Sequence, residues 1–210
     1  MTDVFSDYIE TETGTEPQHC VIWLHGLGAD GRDFADLPGM LNLPAQMAIR
    51  FLFPHARMRP ITLNGGMTMR GWYDLTGLEA SREEDLDGLQ ASSDLVTALI
   101  NQEIARGIPA DQILLGGFSQ GGALSLYLGL RHPNRLAGII GLSTYLPTSS
   151  RVHVERSEVN QNTRVFMGHG LHDPMISLRV GDSSRQLLEK LGYPLTGERT
   201  RCSTRSVNPK

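Results

Sequence analysis

The chain has 210 residues, 40% of them hydrophobic and 20% charged, with 23 Gly and 11 Pro. This mixture excludes a disordered chain, a collagen-like repeat and a coiled coil. Nineteen basic residues stand against 23 acidic ones, for a net charge of −4, which excludes a strongly basic nucleic-acid binder or membrane-surface protein. Two cysteines, Cys20 in an apolar run and Cys202 in a polar tail, build neither a disulfide framework nor a zinc site. No stretch approaches the ~20 apolar residues of a membrane span, and Met1–Asp7 lacks the regions of a signal peptide. A cytoplasmic protein without integral membrane association is expected.

In chain order, Val21–Leu24 reads as a strand apolar on both faces, as in a parallel sheet. Phe51–Phe53 is a second apolar run, stopped by Pro54. Residues 83–106 carry a helical pattern through Leu89, Val96, Ile100 and Ile104, with Glu83, Glu84 and Asp85 in the first turn and Gly107 as a stop. Strands follow at Ile113–Leu115, Ala137–Leu142 and Arg164–Met167, and helices at Gly121–Leu130 and Ser177–Leu191. Strands alternating with helices of this length predict a mostly parallel sheet covered on both faces. One domain is expected over residues 1–195. Residues 196–210 form a polar tail with neither a period of 2 nor one of 3.6, so no strand is expected there.

The strongest local signal is Gly117-Phe118-Ser119-Gln120-Gly121, a G-x-S-x-G sequence between a predicted strand and a predicted helix. A serine on so tight a turn is held in a strained backbone conformation that presents its hydroxyl above the sheet. Side chains two residues to either side would collide with the neighbouring strand and helix, so both positions need glycine. Ser119 is therefore the candidate nucleophile, set against a glycine-rich turn with an incidental serine.

Gly26-Leu27-Gly28-Ala29-Asp30-Gly31 follows the first strand and also matches the dinucleotide-binding pattern G-x-G-x-x-G. That reading needs an acid at the end of the next strand, where the sequence has Phe53-Pro54-His55-Ala56. With His25 in front, the loop instead suits an oxyanion hole whose two donors are the backbone N–H groups of Leu27 and Gln120. His25 is expected to brace this loop rather than act as a base. Asp173 follows the strand 164–167 and precedes Pro174. It is the candidate acid, its role being to orient an imidazole; the alternative is an aspartate that merely closes a turn. His169, His172 and Asp173 also form a weak metal pattern, but one tight turn rarely converges three ligands, so neither a metal nor a cofactor is expected.

These stretches, with Arg59-Pro60-Ile61-Thr62-Leu63-Asn64, Gly71-Trp72-Tyr73-Asp74, Gly116 to Leu126, Gly168-His169-Gly170 and Asp173-Pro174, resemble the carboxylesterase/acyl-protein thioesterase family of α/β-hydrolases, also called lysophospholipase-like. The resemblance runs in family order from about residue 18 to 194. It implies an α/β-hydrolase fold and hydrolysis of carboxylic esters or thioesters by Ser119 and Asp173. Small esters, acylated proteins and lysophospholipids are the substrates it suggests, and it admits a homodimer. It further implies that residues 61–72 line an acyl-binding cleft, with Leu63, Met67, Met69 and Trp72 as its candidates. Methionines are soft enough to accept varied acyl chains.

One departure matters. The family pattern runs Ser, Asp, His, yet the seven histidines are His19, His25, His55, His132, His153, His169 and His172, and none follows Asp173. Past Pro194 the sequence ceases to resemble the family. The expectation is that the last strand and helix are missing or disordered, as a change of reading frame near residue 195 would produce. Hydrolysis would then be impaired, or the chain would only bind acyl ligands or a partner. His172 adjoins Asp173, but its place at a strand end is expected to keep its ring from bridging Asp173 and Ser119.

Overall fold

The computed structural model describes residues 7–44, 46–77 and 83–200. In chain order the elements are β1 (Tyr8–Glu12), β2 (His19–Leu24), α1 (Leu37–Met40), β3 (Ile49–Pro54), β4 (Met58–Ile61), β5 (Met67–Arg70), α2 (Leu86–Ala105), β6 (Ile113–Phe118), α3 (Gln120–Gly129), β7 (Gly138–Leu142), α4 (Val152–Glu155), β8 (Arg164–Gly170), α5 (Leu178–Lys190) and β9 (Leu195–Thr200). Seven strands form one sheet in the order β1-β3-β2-β6-β7-β8-β9, and β4 and β5 form a separate hairpin. Only β1 is antiparallel to its neighbour in the large sheet. This is the mostly parallel sheet that the alternation of strands and helices predicts, and the α/β-hydrolase fold that the resemblance implies.

Strand alternation divides the core into two faces. On one, Ile22, Leu24, Leu52, Ile113 and Leu115 pack with Leu89, Val96, Leu99 and Ile100 of α2 and with Ala123, Leu124 and Tyr127 of α3. On the other, Trp23, Ile49, Phe51 and Phe53 pack with Phe34 and Leu37. The helix α2 starts at Asp85, whose side chain accepts from Gly88 N–H, so Glu83 and Glu84 lie before the helix rather than in its first turn. Glu84 instead accepts from Thr148 N–H at 2.9 Å. Gly107 ends α2 with φ +101°, a left-handed conformation that glycine adopts without steric penalty.

A buried ionic cluster fastens the edge strand. Glu103 of α2, wholly buried, accepts from Arg50 of β3 at 2.7 Å and from Arg106 at 2.8 Å. Arg106 reaches on to Glu10 of β1, and Arg50 to Glu12. Two guanidinium groups therefore compensate one fully desolvated carboxylate. The buried Cys20 thiol is pushed up by desolvation, then by Glu103, and is held as the neutral, inert form. Among the described residues no helix is long and apolar enough to cross a membrane.

The polar tail corrects one expectation. Leu195–Thr200 is a strand, in register with Val165–Gly170 of β8. Five of its six residues are exposed, so backbone pairing rather than an apolar face holds it. An edge strand needs one row of partners and no buried side chains, and alternation therefore gives no sign of it. Gly197 fits the ladder closely: a Cβ there would lie 2.4 Å from Met167 O. The expected loss of a last helix concerns residues 201–210, which lie outside the described residues, as does Cys202.

Candidate active site

The parallel strands β2, β6 and β8 end on one edge of the sheet, and the candidate residues gather there. Ser119 follows β6 directly and has φ 53° and ψ −119°, a left-handed conformation rare for a residue with a side chain. Its surroundings over-determine that strain. Ser119 N–H donates to Leu142 O of β7 at 2.8 Å, and Ser119 O accepts from Thr144 Oγ1 at 2.7 Å. A Cβ on Gly117 would lie 2.5 Å from Gly121 C, and one on Gly121 would lie 2.2 Å from Leu24 O. These contacts are the steric reason for the two glycines. All ten residues of α3 are buried behind the turn, while Ser119 itself stays partly exposed.

The loop after β2 leans on this turn. A Cβ on Gly26 would lie 3.4 Å from Ser119 Cβ and 3.3 Å from the Phe118 ring. His25 braces the loop as expected. Its Nδ1 donates to Gly26 O at 2.7 Å, and its Nε2 accepts from Ala56 N–H at 3.0 Å. Both nitrogens are committed, and burial holds the imidazole below its ordinary pKa, so it is a neutral strut. Among the described residues, neither Leu27 N–H nor Gln120 N–H donates to a protein acceptor. An unpaired amide on the residue after Ser119 and another on the loop packed against it suit a developing oxyanion, and Gln120 adds the positive end of α3.

Asp173 lies three residues beyond β8, its side chain 2% exposed. One oxygen accepts from Met175 N–H at 2.8 Å and Ile176 N–H at 3.0 Å, and the other lies 3.7 Å from His169 Nε2. His169 is buried and bonds Ile176 O at 2.9 Å. The aspartate therefore closes its own turn, and its second oxygen faces the buried His169 ring. Because β7 lies between β6 and β8, the strand ends that carry Ser119 and Asp173 are separated by two strand spacings, about 10 Å. Among the described residues no imidazole bridges that gap. Among those residues Ser119 Oγ makes no hydrogen bond either, and His172 is exposed and bonds neither Ser119 nor Asp173. The weak metal pattern does not assemble either, since no three His, Cys, Asp or Glu side chains among the described residues converge.

The cleft candidates separate. Met69 reaches the loop after β2, with its sulfur 3.6 Å from where a Cβ on Gly28 would be. Leu63 is half-buried against the core, and Met67 stands exposed at the end of the hairpin. Trp72 is a correction: at 1% exposure it belongs to the core and faces no cleft. Three polar contacts explain why. Trp72 N–H donates to Gln120 Oε1 at 2.9 Å, its indole Nε1–H donates to His25 O at 2.9 Å, and its carbonyl accepts from Ser92 Oγ. The side chain of Gln120, 2% exposed, was not legible as a clamp in the sequence. The one available signal was a long polar residue at the first position of a helix otherwise built of small and apolar ones.

The phospholipase/carboxylesterase family profile matches residues 7–206. Acyl-protein thioesterase 1 of Neurospora crassa is 42% identical over 181 residues, which span 82% of this chain and 74% of that protein. The protein of the same name from Mycosarcoma maydis is 36% identical, over 86% of this chain and 80% of its own length. Among solved structures, Arabidopsis thaliana SOBER1 superposes with a TM-score of 0.83 at 29% identity, covering 90% of this chain and 91% of that one. Zea mays acyl-protein thioesterase 2 superposes with a TM-score of 0.80 at 26% identity, over 95% and 92%.

Proposed function

The chain belongs to the phospholipase/carboxylesterase family of enzymes, and from that premise we propose that it cleaves carboxylic esters or thioesters through an acyl-enzyme on Ser119, slowly in these 210 residues. The observation that carries the reading is the strained Ser119 turn with two unpaired amides beside it. The Ser119 hydroxyl attacks the acyl carbonyl, and the carbonyl oxygen becomes an oxyanion held by Leu27 N–H and Gln120 N–H. The alcohol or thiol departs and takes a proton, leaving the acyl group on Ser119. Water then attacks that ester, and the acid is released. Asp173, buried at the end of β8, is the acid of this scheme. Met69 and Leu63 supply apolar contact for the acyl chain.

The slowness rests on the missing base. With no imidazole on Ser119, the serine proton passes to solvent, and a serine hydrolase that lacks a triad member loses on the order of 10⁴–10⁶ in turnover. Oxyanion stabilisation and binding alone leave roughly 10³–10⁴ over water. The substrates of this reading are acylated proteins, lysophospholipids or small esters in the cytoplasm; support comes from relatives named acyl-protein thioesterases. A Ser119 hydroxyl with no hydrogen-bond partner among the described residues also favours a second reading, a hydrolase fold that binds acyl ligands or a partner without turnover.

Hydrolysis of p-nitrophenyl butyrate separates the two. Weak turnover that vanishes in Ser119→Ala is expected, rising at least about a thousandfold when a family-type C-terminus with a histidine after β9 is attached. Equal rates in the chain and Ser119→Ala leave only the binding reading. A rate matching that of the extended protein overturns the proposed impairment. A fluorophosphonate probe is expected to label Ser119 slowly.

A further inference from the structure

Resting on the esterase reading above, we propose that Trp72 is a positioning residue that sets the separation of the two oxyanion donors. Leu27 and Gln120 come from different elements, the loop after β2 and the first turn of α3, and both are tied to the single segment 70–73. Leu27 lies between two anchored groups: His25 O accepts from the Trp72 indole at 2.9 Å, and Gly28 N–H donates to Arg70 O at 2.8 Å. Gln120 is anchored through its own side chain, which accepts from Trp72 N–H at 2.9 Å and donates to Tyr73 O at 2.6 Å.

The splint is itself held rigid. Ser92 Oγ of α2 donates to Trp72 O, the indole packs on the His25 ring with centroids 5.1 Å apart, and a Cβ on Gly71 would lie 3.1 Å from Leu27 Cδ1. Trp72 and Gln120 are both almost wholly buried, so water does not compete for these bonds. Trp72 touches no substrate. It acts through the backbone of its neighbours, fixing the two amides relative to each other before any charge develops, which is the condition under which oxyanion donors act.

The test reads the oxyanion directly. Butylboronic acid forms a bond between boron and Ser119 Oγ; the hydroxyl proton goes to solvent, and boron becomes a tetrahedral anion whose oxygen occupies the oxyanion position. Adduct affinity is measured by ¹¹B NMR in the chain, Ser119→Ala, Trp72→Phe and Gln120→Glu, beside kcat and KM for the residual ester hydrolysis. Trp72→Phe keeps a ring but removes the indole N–H, and is expected to weaken the adduct roughly tenfold or more and to lower kcat with KM unchanged. Gln120→Glu keeps the backbone amide and the acceptor for Trp72 but loses the donor to Tyr73. It gives a change of the same sign, about threefold. The core change Ile108→Val lowers the melting temperature without moving adduct affinity. Adduct affinity within twofold of the unchanged chain in both site variants overturns the proposal while the esterase reading stands. No Ser119-dependent adduct in the unchanged chain overturns both.

Discussion

The two halves of the candidate site are built by different means. On the serine side, β6, the turn at Ser119 and α3 form the most enclosed part of the molecule, and all ten residues of α3 are buried. On the acid side, β8 gives way to a partly exposed turn, and β9 beyond it leaves five of six residues open. The first half is held by steric exclusion, glycine by glycine. The second is held by hydrogen bonds to one carboxylate and by a backbone ladder. Sterics leave little room for variation, whereas a ladder, apart from its close approach at Gly197, accepts almost any side chain. This is why the serine half keeps its chemistry while the other half can carry a polar sequence and still form its strand.

Gly121→Ala strikes the first half at its tightest point. The added carbon would lie 2.2 Å from Leu24 O and 2.5 Å from His25 O, both backbone atoms that cannot turn aside. A loss of about 4 kcal/mol or more in urea denaturation is expected, enough to unfold a marginal domain. A loss below about 1 kcal/mol would mean the turn relaxes freely, and the contrast between the halves would fail.

Asp173→Ala probes the other half. Its carboxylate accepts two backbone N–H groups while almost wholly buried, so removal is expected to destabilise by about 2–3 kcal/mol. Activity should respond quite differently from stability. In a complete triad the acid is worth about 10⁴ in turnover because it orients the imidazole. On the proposed reading, in which no imidazole serves Ser119, there is nothing to orient, and the residual ester hydrolysis should fall by less than about threefold. A fall of several hundredfold would reveal a base working with Asp173 and would overturn the account of slow turnover.

The same contrast explains what could be read from the sequence. Gly117, Ser119 and Gly121 are legible because a steric rule demands those residue types, and His25 because its loop needs a brace. The central strands show as apolar runs since both faces are covered. β1, the β4–β5 hairpin and β9 lie at edges, where pairing is backbone to backbone and side chains obey no period. The role of Trp72 escapes the sequence for another reason: tryptophan beside a methionine-rich stretch looks like cleft lining. Only its contacts with His25, Ser92 and Gln120, distant in the chain, make it a strut.

The smallest expected effect lies at the outer edge. Arg199 of β9 pairs with Asp182 of α5 at 3.0 Å, the only salt bridge from β9 to the body of the fold among the described residues. The arginine is half exposed, so solvent and salt screen the pair and its contribution is a few tenths of a kcal/mol. Asp182→Asn should therefore leave stability within about 0.5 kcal/mol, and amide exchange along 195–200 should be unchanged. Faster exchange confined to those residues would show that a charge pair, rather than the ladder with β8, keeps the strand in place. The acid side would then depend on specific side chains as the serine side does, and the tolerance inferred for it would be lost.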